Sequence, residues 1–92
     1  MKFELGQVVM TRGIADAMEK SAIFTKQVNE AFEKYQNCNW GDTCEEDAAM
    51  NTEAVETGDD RVLAVYYTDL GNIWIITEWD RSYTTILFPS EY

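Results

Sequence analysis

The sequence predicts an α+β fold: an antiparallel sheet of about four strands, in the order β-α-α-β-β-β, with helices packed on one face. Three observations predict it. Residues 24–35 set apolar side chains at helical spacing, and residues 61–88 hold three runs rich in β-formers separated by turns. Between them lies an acid-rich segment with a helix start signal and a glycine stop. At 92 residues the chain makes one domain, 1–92. So short a chain buries only about two-thirds of its unfolded surface. Three Trp, five Tyr and four Phe widen that margin, because each ring can bury about 150–250 Å².

The elements follow in order. Leu5 to Thr11 alternates loosely and ends before Arg12-Gly13, as a strand does. Ile14 to Glu19 reads as a short helical turn. Ser21 is the expected N-cap of the next helix, in which Phe24, Val28, Ala31, Phe32 and Tyr35 form one apolar stripe. Asn37 to Asp42 is a loop. Asp42-Thr43-Cys44-Glu45 has capping-box spacing, with Thr43 to Glu46 as a second register. A helix is expected from about Cys44 to Thr57, stopped by Gly58. Arg61–Thr68, Ile73–Trp79 and Tyr83–Phe88 form a meander, broken by turns at 69–72 and 80–82 and closed by Pro89.

Charge is distributed unevenly along these elements. Residues 1–34 carry five acids and five bases. From Tyr35 to Asp60 there are eight carboxylates (Asp42, Glu45, Glu46, Asp47, Glu53, Glu56, Asp59 and Asp60) and no Lys or Arg. Most of the formal net charge of −10 is therefore one local block. Such a block repels nucleic acid and anionic membrane and attracts basic partners. With no His, the commonest general base is missing and so are the Ser-His-Asp and Cys-His arrangements. No phosphate-binding glycine loop is present. The expectation is a non-enzyme with no catalytic residues and no cofactor. No run of about 20 apolar residues and no signal-peptide core is found, so the expected compartment is cytoplasmic. Cys38 and Cys44 are then expected as free thiols.

The candidate partner-binding residues are Asp42, Glu45, Glu46, Glu53 and Glu56. At 100° per residue the four glutamates fall within an arc of about 100°. A solvated helix face is the plain reading of such a run. The missing countercharge favours a second one, a docking stripe for a basic protein partner, in which a row of carboxylates imitates nucleic-acid phosphates. Asp42, Glu45, Glu46 and Asp47 offer hard oxygen ligands, but their spacing does not match an EF-hand loop, and no metal is expected. Asn51 shares the helix side of Ala48 and Val55, and if buried its amide needs a partner in the Trp40 loop or the sheet.

Glu78, Asp80 and Arg81 form a candidate polar cluster at one end of the meander. Arg81 is either an anion clamp or a salt-bridge partner of Asp80, Glu78 or the acidic helix. The run RVLAVYYT is apolar on both faces, whereas a sheet covered on one face alternates. Either the acidic helix covers the second face or another subunit does, which makes a homodimer the alternative reading. A small carboxylate-based enzyme or metal binder is the third.

Val9-Met10-Thr11-Arg12-Gly13, Trp40-Gly41-Asp42 followed by Glu45-Glu46-Asp47 and Asn51, and IWIITEWDRSYTTILFPSEY resemble small acidic proteins of Gram-positive plasmids and conjugative elements. That family is labelled "plasmid-related protein" and is functionally uncharacterised. The resemblance implies a bacterial protein carried on mobile DNA and transfers no catalytic residue. Mobile elements commonly encode small acidic proteins that block host defence, so an anti-defence role is the expectation by analogy.

Overall fold

One residue, Ser21, both ends one helix and starts the next. The computed structural model describes residues 2–92. In it Thr11 caps α1 (Arg12–Lys20) by accepting from the Ile14 N–H at 3.4 Å. The Ser21 N–H then closes α1 on the Ala17 carbonyl, while its hydroxyl accepts from Phe24 N–H at 3.0 Å and opens α2 (Ala22–Gln36). Thr11 caps earlier than expected, so a full nine-residue helix replaces the short turn at 14–19. It also shortens the first strand, β1, to Gln7–Met10. The α2 stripe is buried at Phe24, Val28, Ala31 and Tyr35, with Phe32 half-buried.

The remaining elements are α3 (Glu45–Thr57), β2 (Val62–Thr68), β3 (Gly71–Thr77), β4 (Tyr83–Leu87) and a closing 3-10 turn, Pro89–Glu91. The sheet order is β1-β4-β3-β2. β2, β3 and β4 form the expected antiparallel meander, with Ala64 opposite Ile75 and Ile75 opposite Ile86. β1 departs from expectation: it pairs parallel with β4, Val9 beside Thr85. A crossover through helices on one face returns the chain in the direction in which it left. The two hairpins of the meander then restore that direction at β4, so the sheet is mixed.

The inner face of the sheet carries Val62, Ala64, Tyr66, Ile73, Ile75 and Ile86, packed with Ile14, Phe24, Val28 and Tyr35 into one core. Phe3 and Trp40 meet the Tyr35 ring edge-on at 5.5 and 5.6 Å. A chain of hydroxyls crosses this core. Tyr35 Oη lies 2.7 Å from Thr77 Oγ1, Thr77 Oγ1 lies 2.7 Å from Thr84 Oγ1, and Thr84 donates to the Leu5 carbonyl at 2.7 Å. Burial pushes the Tyr35 phenol far above its ordinary value.

The outer face presents Leu63, Val65, Tyr67, Trp74 and Ile76. The acidic helix does not cover it. Part of it lies under the C-terminal turn, where Tyr92 packs edge-on against Trp74 at 5.4 Å and Arg61 Nη1 donates to Tyr92 Oη at 2.8 Å. Tyr67 remains 64% exposed.

Candidate functional site

An edge strand leaves alternate backbone groups without partners. On β2 the segment 41–51 supplies them. Asn51 Nδ2 donates to the Leu63 carbonyl at 2.8 Å, and its Oδ1 accepts from the Leu63 N–H at 3.1 Å. Thr43 Oγ1 accepts from Val65 N–H at 2.9 Å, and Asp42 N–H donates to the Val65 carbonyl at 2.9 Å. Asp42 Oδ2 accepts from Tyr67 N–H at 2.9 Å. This approach requires Gly41, at φ 59°, because a Cβ there would collide with the Tyr66 ring. The amide of Asn51 acts as a short extra strand and holds α3 alongside β2.

This edge also explains the helix start. The side chains of Asp42 and Thr43 are engaged on β2, so neither builds a capping box. Cys44 is the N-cap and makes no side-chain cap bond. Glu45, Glu46 and Asp47 fill the first turn, where the positive end of the helix dipole favours acids. Gly58 ends α3 in the left-handed region, at φ 75°.

The buried residues of α3 are Asn51 and Ala54. Glu45, Glu46, Glu53 and Glu56 are all exposed and lie on the opposite side of the helix. The two bases of the second half of the chain serve elsewhere. Arg61 donates to Tyr92 Oη and sits 6.0 Å from the centre of its ring. Arg81 forms neither an anion clamp nor the expected salt bridge. Its guanidinium donates to four backbone carbonyls: Asp60 at 2.6 Å, Ala54 at 3.0 Å, Glu78 at 3.2 Å and Trp79 at 3.3 Å. It thereby ties the last turn of α3 to the β3–β4 turn, placing a cation where the helix dipole is negative.

Of the candidate residues, the structure thus brings the four glutamates together in one row and assigns Asp42 to the sheet edge. Glu78, Asp80 and Arg81 do not converge. Asp80 accepts from Ser82 N–H at 3.0 Å, and the Ser82 hydroxyl together with that N–H holds its carboxyl below the usual range. Among the described residues no group of three Cys, Asp or Glu side chains is placed to hold a metal. Cys38 and Cys44 are free, and burial raises the Cys38 thiol. No helix among the described residues is long and apolar enough to cross a membrane.

Two exposed apolar residues near α3 had no functional role in the sequence reading. Met50, on α3, and Trp79, just after β3, are large, apolar and exposed. Arg81 bonds the carbonyls of both Trp79 and Ala54, which brings Trp79 to the C-terminal turn of α3. The one available sequence signal was Trp79 standing between Glu78 and Asp80; Met50, between Ala49 and Asn51, had none. Compared with known proteins, the chain matches no family model, no curated protein and no solved structure.

Proposed function

We propose that this is a non-enzymatic binding protein whose α3 engages a basic protein partner, one whose groove otherwise holds nucleic acid, such as a defence nuclease or a DNA-binding protein. One observation carries the reading. Glu45, Glu46, Glu53 and Glu56 stand outward on a helix pinned to β2 through Asn51 at its middle and to Arg81 through Ala54 in its last turn, and the nearby arginines are bonded to other groups. A rigid row of like charge speeds encounter with a basic groove by steering. Met50 beside the row and Trp79 near the C-terminal turn of α3 offer exposed apolar anchors of the kind that dominate interface energetics. The resemblance to plasmid-borne proteins fits an anti-defence role.

The test is charge reversal. The triple variant Glu46→Lys, Glu53→Lys, Glu56→Lys is compared with the parent in pull-downs from a Gram-positive host. The parent is expected to retain a basic protein that duplex DNA displaces, and the triple variant to lose it. Recovery of the same protein by both would overturn the reading. Asp42 is left intact, because its loss would expose the β2 edge.

A second reading rests on the outer sheet face, where Tyr67 and Tyr83 are exposed and Trp74 is half-buried. There a second copy would be the partner, and the acids would serve solubility.

A further inference from the structure

The two edges of the sheet are treated differently. The β2 edge is closed by Asp42, Thr43 and Asn51. Among the described residues nothing pairs with the β1 edge. Gln7 and Thr11 N–H groups donate to the Ser82 and Ile86 carbonyls of the β4 side at 3.2 and 3.0 Å. In a parallel ladder alternate residues face the neighbour, so Val8 and Met10 aim their N–H and C=O groups away from the sheet. The segment QVVM holds no charge and no proline, the usual means by which an edge is protected. The Val8 and Met10 side chains lie on the inner face beside Thr84 and Ile86, yet are 42% and 43% exposed. A shallow groove lined by Leu5, Val8 and Phe32, with Glu4 and Gln36 at its polar side, adjoins them.

We infer that β1 is a self-pairing edge, and that two copies join their sheets across it into one continuous eight-stranded sheet. Antiparallel pairing about a two-fold axis through Val9 sets Val8 of one copy opposite Met10 of the other. It forms about four backbone hydrogen bonds. The helices of both copies then lie on the same side, and the exposed Val8 and Met10 side chains cover one another beside Phe32. A stable interface buries more than about 1,000 Å², and the groove extends a four-residue edge toward that size.

Charge selects a second copy as the occupant. Residues 1–34, which supply β1, α1 and most of α2, carry equal numbers of acids and bases, so no net charge opposes the approach of two β1 edges. The acidic block lies at the far edge, since β2 is three strand spacings from β1, about 14 Å, and α3 lies beyond it. In the dimer the two acidic helices are more than about 30 Å apart, several Debye lengths at physiological salt. Association through the α3 side would instead stack two anionic blocks. The dimer also leaves both glutamate rows free.

Sedimentation equilibrium of the full chain tests the inference. The expected result is a reversible dimer of twice the monomer mass. Val8→Pro removes one outward N–H and Met10→Lys places charge on the edge, and each is expected to yield a monomer with the parent's circular dichroism. Tyr67→Lys, on the outer face, is expected to leave the dimer intact. Hydrogen exchange on the parent gives a readout independent of any variant: the Val8 and Met10 amides are expected to gain protection as concentration rises. A parent that stays monomeric overturns the inference, as does a dimer that survives both edge variants, dissociates with Tyr67→Lys, or leaves those amides unprotected.

Discussion

Thr84 stands at the end of the hydroxyl chain and fixes its direction. Its proton goes to the Leu5 carbonyl, so Thr77 donates to Thr84 and Tyr35 to Thr77. Tyr35 also has the Val62 carbonyl within reach at 3.3 Å. Thr84→Val therefore strands a buried carbonyl and a buried donor, and is expected to cost about 1–3 kcal/mol in urea unfolding. Thr77→Val is expected to cost less, since Tyr35 and Thr84 each keep an acceptor. Equal losses would disprove that polarity. Glu91 makes the C-terminal turn pH-sensitive. Its Oε1 accepts from the Thr11 hydroxyl at 2.6 Å and from Phe88 N–H at 2.9 Å, and these bonds hold its carboxyl below the usual range. A lowered value means the contribution is complete above the ordinary glutamate value of about 4.3 and is lost as pH falls through the folded-state value. Tyr92 rests on Trp74, so tryptophan fluorescence should report release of the C-terminal turn in that acid window. Glu91→Gln should remove the titration.

At the scale of elements, α3 is held by polar bonds more than by an apolar face. Its buried residues are one amide and one methyl, Asn51 and Ala54. Arg81 secures its far end and adopts φ 60° to do so, a conformation costing a non-glycine residue about 1 kcal/mol. Arg81→Ala is expected to lower stability by about 2–3 kcal/mol through the lost charged hydrogen bonds. Arg81→Gly should lose about 1 kcal/mol less, because glycine bears no left-handed penalty. Thermal and denaturant unfolding of the pair check both figures, and identical values would argue against strain at that position. The helices, the meander, the Ser21 cap and the Gly58 stop were legible in the sequence because each is encoded within a few residues. The caps at Thr11 and Cys44 were not. The choice between capping a helix and closing a sheet edge depends on β2, some twenty residues downstream of Asp42 and Thr43. The uses of Asn51 and Arg81 were hidden for the same reason: each bonds backbone brought near only by folding.

Across the whole molecule, charge and architecture share one polarity. The first 34 residues, neutral in sum, supply β1 and nearly all of the two helices over the inner face, while the acids gather on α3 at the opposite edge. Self-repulsion within that block opposes folding and is screened by salt. Added sodium chloride should therefore raise the melting temperature of the parent, and the Glu46, Glu53, Glu56 triple reversal should show a smaller rise. A triple variant as salt-sensitive as the parent would place the repulsion elsewhere. Sequence alone determined the α+β class, the placement of most elements and the outward row of glutamates. These depend on local periodicity, capping and charge order, which neighbouring residues set among themselves. Tertiary structure alone decided the parallel entry of β1, the closed and open sheet edges, and the commitment of both arginines to other groups. Each of these is a hydrogen-bond choice between segments far apart in the chain, made only when the folded core brings competing donors and acceptors within reach.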